Sequence, residues 1–268
     1  MLELHQLQGR KTIIKKSNVH KREGETNYNS NGSRMEIIKY INYQNVLVEF
    51  KNSYTKRTSY NYFKEGCVRN LYDKTVWGEG YAGEGPYKMS VNKKHTREYR
   101  TWKNILQRVY SDRYQEKYPT YKKASITKDW LNFQNYAEWH SNNYYEVGNE
   151  KMHIDKDILH KGNKTYSPHN CIFVPEKINL LFTKRDSGRG DYPLGVSYCK
   201  RDDLYTSYCS NHNGFRKFLG NYNTPEKAFD SYKVYKENLI KKIANKYKNE
   251  IPLQLYEAMM NYVVEIDD

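Results

Sequence analysis

The chain has 268 residues, with 45 Lys and Arg against 31 Asp and Glu, and its formal net charge is +14. This basic balance favours a phosphate-rich partner such as nucleic acid, because Lys and Arg release counterions from the phosphate backbone. The mean hydropathy of −1.03 excludes large apolar cores, and the absence of a long apolar stretch or an apolar signal segment indicates an intracellular protein with no membrane partner.

Residues 1–77 are predicted to form a basic arm and a small β domain. The first 34 residues are polar and rich in Lys, Asn, Gly and Ser, which is typical of a mobile arm or a loose strand pair. Apolar patterning predicts strands over Met35–Tyr40 and Asn45–Phe50, with further possible strands at Tyr60–Phe63 and Cys67–Val68. This domain either binds DNA or serves as a docking module.

Residues 78–95 are predicted to be a Gly-rich linker. Gly78, Gly80 and Gly83 fit the spacing of a dinucleotide-binding loop, but Pro86 follows where the helix of such a site would begin. We therefore expect no small-molecule cofactor.

Residues 96–183 begin with two predicted helices, one up to about Tyr110 and one from Trp130 to Trp139, separated by Pro119. Their aromatic residues are expected to form a supporting core. Basic residues share the first helix and suit either a DNA backbone or a solvated face, namely Arg97, Arg100, Lys103 and Arg108.

A strand is predicted from Met152 to Leu159, with polar residues on one side at His153, Asp155 and Asp157. A turn-rich loop follows, and the apolar run Cys171–Val174 can pair back as a second strand. Pro175 suits the first turn of a helix that carries Asn179. The hairpin and helix are expected to bring Asn179 near the acidic strand.

This layout resembles the HNH (ββα-metal) endonucleases, in particular the homing-type members of phages and mobile introns. Asn170 and Asn179 match the middle and last positions of the family pattern. The resemblance implies Asn170 as the residue that braces the loop, and Mg²⁺ or Mn²⁺ held by Asp155, Asp157 and Asn179. Such a site hydrolyses DNA phosphodiester bonds, using a base to activate water and a hard cation to neutralise the phosphate.

The first position of the family pattern leaves the general base open. If His153 is the base, Met152 stands in the usual metal-ligand position and cannot bind the metal. If Asp155 is the ligand, the base position falls on Lys156, which would need a strongly lowered pKa to accept a proton. His153 and Lys156 are therefore both candidate bases.

The C-terminal part is predicted to contain three short strands and a long helix. The strands lie within residues 192–201, 204–210 and 215–222, and Thr224 and Pro225 open a helix whose apolar residues recur every three or four positions through Lys248. A segment from Leu253 to Val264 is expected to pack as a cap. Residues 184–191 are predicted to be a hinge before this region.

Residues 192–248 resemble the Apetala-two/ethylene-response-factor type of DNA-binding domain, which also occurs in phage homing endonucleases. The matching residues are Gly195, Val196, Tyr205, Leu219, Gly220, Tyr222, Thr224, Glu226, Ala228 and Tyr232. The resemblance implies that the exposed sheet face enters the major groove of double-stranded DNA. The candidate contacts are Tyr198, Lys200, Arg201, Tyr205, Ser207, Arg216 and Lys217, and the register decides which of them point outward.

The sequence thus predicts an α+β, multidomain protein with an N-terminal β domain, a central helical and ββα region, and a C-terminal DNA-binding domain over residues 192–268. The favoured function is a metal-dependent DNA endonuclease of homing, mobile-element or phage type in a bacterial host. One alternative is a DNA-binding regulator that keeps the HNH-like unit only as a fold. Another is a phage accessory DNA-binding protein, although the chain has no recognisable Arg/His/Tyr set of a recombinase.

Overall fold

The computed structural model describes residues 22–183, 191–210 and 215–266, and it has the predicted mixed α+β character with several small sheets. The chain divides into two compact units. The N-terminal unit comprises Met1–Thr75 and Tyr81–Glu84, and the C-terminal unit comprises Val76–Gly80 and Gly85–Asp268. Among the described residues, no helix combines the length and apolar character needed to cross a membrane.

The N-terminal unit contains an antiparallel sheet in the order β1-β2-β3-β4, followed by a short helix. The bounds are β1 (Thr26–Tyr28), β2 (Arg34–Asn42), β3 (Asn45–Phe50), β4 (Thr55–Thr58) and α1 (Tyr60–Lys64). Alternate residues of β2 and β3 point into one core, which contains Met35, Ile37, Val46, Val48 and Phe50. The first 21 residues of the predicted basic arm lie outside the described residues.

Two of the possible strands in this unit are wrong. Tyr60–Phe63 is helical, because the Ser59 side chain accepts a hydrogen bond from the backbone N–H of Tyr62 at 3.3 Å and caps a helical turn. Cys67 and Val68 lie in irregular backbone, and the buried Val68 completes the apolar core beneath the sheet.

The first part of the C-terminal unit is helical and has an aromatic core. A hairpin of β5 (Ser90–Val91) and β6 (Lys94–His95) lies in the predicted linker and precedes α2 (Arg97–Tyr110) and α3 (Asp112–Lys117). A 3-10 turn at Pro119–Tyr121, β7 (Ser125–Ile126) and a second 3-10 turn at Lys128–Leu131 lead to α4 (Phe133–Asn143). The helices pack around fully buried rings at Trp102, Trp130, Phe133 and Tyr136.

The next elements are β8 (Met152–Asp155), β9 (Thr165–Tyr166), β10 (Ile172–Pro175) and α5 (Glu176–Phe182). β8 and β10 pair antiparallel, and β9 pairs in parallel with β7. α5 begins directly after β10 and packs on β8 and β10. We call β8, β10 and α5 the ββα unit.

The C-terminal sheet has the order β11-β12-β13 and is followed by a long helix and a short one. Their bounds are β11 (Val196–Cys199), β12 (Leu204–Ser210), β13 (Arg216–Tyr222), α6 (Pro225–Tyr247) and α7 (Leu253–Met260). Gly195 has a φ of +80°, and a Cβ there would lie 2.2 Å from the ring of Tyr232 on α6. Only glycine fits this approach, which seats the sheet on the helix.

α6 also contributes to the core of the ββα unit. Its first half packs under the sheet, where Phe229 and Tyr232 meet Cys209 of β12. Its second half, through Ile240 and Ile243, shares a buried core with the ββα unit and α7, whose members include Ile172, Val174, Ile178, Leu255 and Met259. The predicted hinge at 184–191 lies outside the described residues except for Asp191. Within the described residues, the C-terminal sheet and the ββα unit both pack against α6.

Candidate functional site

Asp155 ends β8. Its Oδ1 accepts hydrogen bonds from the backbone N–H groups of Asp157 at 2.9 Å and Ile158 at 2.8 Å, which turns the chain at this point. The prediction of a strand through Leu159 is therefore wrong beyond Asp155. Asp157 lies in the turn and not on the strand.

The register of the ββα unit shows which side chains point towards α5. His153 pairs with Val174 and Asp155 pairs with Ile172, and directly paired residues share a sheet face. Ile172 and Val174 belong to the core that contains α5, whereas Ile154 points into the aromatic core on the other face. His153 and Asp155 therefore both lie on the α5 face of the hairpin.

The negative charge of Asp157 affects the ionisation of the buried Asp155. Burial raises the pKa of Asp155 to about 6, and the negative charge of Asp157 adds to the rise. Two carboxylates close together in a partly desolvated turn are costly when both are charged. Such a pair has the electrostatics of a cation site, although Asp155 also has the turn-forming role described above.

Lys156 lies between these carboxylates and is buried. Its Nζ lies 3.4 Å from Oδ2 of Asp157 and 5.8 Å from the ring centroid of Tyr166. This position makes Lys156 a counterion of Asp157. An ion pair with a carboxylate is a different role from that of a general base.

The side chain of His153 is more accessible than that of Lys156. Its side chain is 26% exposed, and Nε2 lies 3.5 Å from Oε1 of Glu176, the first residue of α5. Burial lowers the pKa of His153, with a further lowering by Lys151, while Glu176 opposes the change. The imidazole is therefore neutral at physiological pH and able to accept a proton. Sequence reasoning missed Glu176, whose only signal is its place at the helix start.

Asn170 ties together the loop that joins the two strands. Its Nδ2 donates to Oδ1 of Asn163 at 3.1 Å and to the carbonyl of Thr165 at 3.4 Å. Asn163 in turn donates to the carbonyl of Lys156 at 2.6 Å. The sequence analysis did not select Asn163, although asparagine in a Gly-containing turn is a signal for such bonding.

Asn179 lies on α5, three residues after Glu176. Residues three apart share a helix face, so Asn179 follows Glu176 along the side of α5 that contacts His153. Asn179 is partly buried, and its backbone carbonyl accepts a hydrogen bond from Oγ1 of Thr183 at 3.0 Å. The side-chain amide of Asn179 is the third candidate oxygen ligand, in addition to the carboxylates of Asp155 and Asp157.

The register of the C-terminal sheet separates the candidate DNA contacts into two faces. Val196 and Cys209 pack against α6, and alternation places Tyr198, Tyr205 and Ser207 on that same face. Ser207 is fully buried, so the prediction that it contacts DNA is wrong. Tyr198 and Tyr205 pair across β11 and β12 on this face, with ring centroids 5.2 Å apart.

Arg216 and Lys217 are neighbours in the chain but lie on opposite sides of the sheet. Arg216 pairs with Ser210, and its guanidinium lies 4.0 Å from the ring centroid of Tyr208 on the face away from α6. Lys217 pairs with Cys209, and its Nζ lies 4.9 Å from the ring of Tyr235 on α6. Lys200 and Arg201 are exposed in the turn after β11, where Arg201 forms an ion pair with Asp202 at 2.8 Å.

The face away from α6 also carries aromatic and polar residues that sequence reasoning missed. Phe218 is 53% exposed, and its ring lies 5.4 Å from that of Tyr208. Oγ1 of Thr206 donates to Oδ1 of Asn221 at 3.0 Å on the same face. Thr206 itself is buried, and we call the residues Tyr208, Arg216, Phe218 and Asn221 the open sheet face. Strand alternation was visible in the sequence, but the bulge between Ser207 and Tyr208 was not.

In the part of the chain that the structure describes, no group of three or more His, Cys, Asp and Glu side chains is arranged to hold a metal ion. A cation here would be held by Asp155, Asp157 and the Asn179 amide, with water completing the shell. Few protein ligands and several waters are the ordinary coordination of Mg²⁺.

No protein-family model, no curated protein and no solved structure matches the chain.

Proposed function

We propose that the protein is a DNA endonuclease that hydrolyses a phosphodiester bond in the ββα unit with the help of Mg²⁺ or Mn²⁺. One observation carries the proposal: His153 and Asp155 share the α5 face of an antiparallel strand pair whose connecting loop is tied by Asn170. The resemblance to HNH endonucleases predicted the strand pair and the Asn-tied loop, but its ligand and base positions are adjacent, whereas Ile154 separates His153 from Asp155 here.

In this proposal His153 is the general base. A neutral imidazole can take a proton from the attacking water, and Glu176, whose carboxylate lies 3.5 Å from the buried Nε2, stabilises the imidazolium that forms. Asn170 positions, through Asn163, the loop that carries Lys156 and the candidate ligand Asp157. Asp155, Asp157 and Asn179 hold the cation, which supplies charge neutralisation at the phosphate when bound.

The C-terminal sheet supplies affinity for double-stranded DNA. Its open sheet face presents Arg216, the exposed Phe218 and the half-buried Tyr208, and a three-stranded sheet fits the major groove. The net charge of +14 supports the same partner. Because α6 joins this sheet to the ββα unit, DNA held by the sheet would lie at a defined position relative to the candidate site.

The function is tested by nicking of a supercoiled plasmid with purified protein and Mg²⁺ or Mn²⁺. We expect metal-dependent conversion to the open circle, loss of activity in EDTA, and a rate at least about 100-fold lower for Asp155→Ala and Asn179→Ala. DNA binding by both variants should stay close to that of the native chain. Loss of binding together with nicking would show that these residues act in folding.

One observation favours a second function, that of a DNA-binding regulator without nuclease activity. Lys156 already neutralises Asp157 at 3.4 Å, so the carboxylate pair is partly compensated before any cation binds. Salt-sensitive binding of DNA, with no nicking of a plasmid that contains the preferred binding sequence, would establish this function and exclude the nuclease.

The adjacent residues Arg216 and Lys217 provide a matched test of the DNA-binding face. Arg216→Ala should weaken binding to a duplex about 10-fold and, if Arg216 contacts phosphate, reduce the salt slope of log K by about 1. Lys217→Ala removes the same charge from the α6 side and should change affinity much less. Titration of a labelled duplex at several salt concentrations measures both. Equal losses for the two variants would contradict the assignment of the open sheet face.

A further inference from the structure

Arg108 lies in the last turn of α2 and is less exposed than the other basic residues of that helix. Its side chain is only partly exposed, its Nη1 donates to Oη of Tyr166 at 3.1 Å, and its Cζ lies 5.4 Å from the ring centroid of Tyr121. Tyr114 is a further electrostatic neighbour. Arg108 is therefore not on the solvated helix face that its sequence neighbours Arg100 and Lys103 occupy.

The guanidinium of Arg108 has no acidic partner among the residues that the structure describes. No Asp or Glu oxygen of these residues lies within 4.0 Å of it, whereas the nearby buried Lys156 has Asp157 at 3.4 Å. Withdrawing a cation from water without a counterion is costly. Tyr166 uses one of the five N–H donors of the guanidinium, and the tyrosine rings supply no negative charge.

Arg108 is also adjacent to the candidate nuclease site. Tyr166 contacts both Arg108, through its hydroxyl, and Lys156, whose Nζ lies 5.8 Å from the ring centroid. Lys156 in turn pairs with Asp157 at 3.4 Å. The guanidinium and the candidate catalytic groups thus lie within electrostatic range of each other.

We propose that Arg108 and its tyrosine neighbours form a phosphate-binding site that takes a phosphodiester of the DNA backbone beside the ββα unit. A planar guanidinium can donate two parallel hydrogen bonds to phosphate oxygens, and the phosphate supplies the missing negative charge. Tyr166 orients the guanidinium and Tyr121 covers one side of it. This inference deepens the proposed function, on which it rests for the identity of the ligand as DNA.

The stability of the free protein gives the first test, because a ligand-binding role and a folding role predict opposite signs. Arg108→Met keeps most of the side-chain length and removes the unpaired charge, so the urea midpoint should stay the same or rise. Lys103→Met, an exposed position on the same helix, is the control and should leave the midpoint unchanged. A clearly lower midpoint for Arg108→Met alone would overturn the proposal in favour of a structural cation.

Binding of a small phosphodiester gives the second test, and it does not require cleavage. Dimethyl phosphate added to the native full-length chain should shift the arginine side-chain NMR signal that Arg108→Met lacks, and inorganic phosphate tests whether a free phosphate anion binds at the same site. A shift with dimethyl phosphate supports the diester site. A shift with inorganic phosphate alone, or no shift of this signal with either anion, overturns it.

Binding of duplex DNA separates this inference from the proposed function. Arg108→Met should reduce the salt slope of log K by about 0.9, the value of one phosphate contact, and Arg108→Lys should restore most of it. An unchanged slope for Arg108→Met overturns the Arg108 site even if the native chain nicks plasmid DNA. Conversely, a reduced slope with no nicking by the native chain keeps the phosphate site and rejects the nuclease.

Discussion

Replacing His153 with Gln is expected to slow metal-dependent nicking by about 10²–10⁴-fold, the usual contribution of a general base. Glutamine keeps the size and polarity of the side chain but accepts no proton, and His153 lies on the α5 face with its ring 26% exposed, so the fold should tolerate the change. Single-turnover nicking of a supercoiled plasmid measures the effect, with DNA affinity measured alongside.

The matched variant for this prediction is Lys156→Met. Lys156 is buried, and the structure assigns it to Asp157 and Tyr166 as a counterion. Its removal should leave nicking within about threefold, because Asp157 is 41% exposed on its side chain and stays solvated without its partner. The opposite pattern, with His153→Gln active and Lys156→Met inactive, would make Lys156 the base and reject the role given to His153.

Deleting residues 192–268 is expected to unfold the ββα unit as well as to remove the sheet. The deletion takes away Ile240, Ile243, Leu255 and Met259, which bury Ile178 and the facing side of the hairpin. Each buried aliphatic side chain contributes about 1.5–3 kcal/mol, and four of them approach the 5–15 kcal/mol by which a typical domain is stable. Near-UV circular dichroism and limited proteolysis of the truncated chain measure the loss.

Point variants on α6 distinguish this shared core from a general effect of truncation. Ile243→Ala should lower the free energy of unfolding by about 2–5 kcal/mol, because Ile243 is buried against the ββα unit. Val234→Ala, which removes apolar atoms at a position that is 59% exposed, should change it by less than about 0.5 kcal/mol. A truncated chain that keeps native near-UV signals and a cooperative transition would show that the ββα unit folds without α6.

The order and type of most elements could be predicted from the sequence. The strands β2, β3, β12 and β13 and the helices α2 and α6 follow from apolar patterning, and β10 follows from a continuous apolar run. Thr224 caps α6 as predicted, and Thr96 caps α2 by the same kind of local hydrogen bond. These signals are local. Each capping side chain accepts a hydrogen bond from a backbone N–H group three residues later in the chain.

Two departures from the predicted elements have local causes that were present in the sequence but not used. Asp155 ends β8 because its side chain accepts hydrogen bonds from the backbone N–H groups of Asp157 and Ile158. Ser59 caps the start of α1 where a strand was predicted. Asp and Ser compete for backbone N–H groups at turns and helix starts. A strand pattern of alternating residues therefore does not continue through such a position.

The candidate site shows a clear division between what residue type predicts and what packing decides. The set of His153, Asp155, Asn170 and Asn179 was selected from residue type and spacing. The choice between His153 and Lys156 depends on how far each side chain is exposed and on its neighbours, and these are set by contacts across β8, β9 and α5.

By itself, the sequence determined the basic character and the order of the local elements, because charge, periodicity and capping depend on neighbours in the chain. Only the tertiary structure decided that Ser207 is buried, that Arg216 and Lys217 lie on opposite sides of the sheet, and that Arg108 lacks an acidic partner within the described residues. It also decided that α6 completes the core of the ββα unit. These properties depend on strand register and on contacts between residues distant in the chain, which local patterns do not encode.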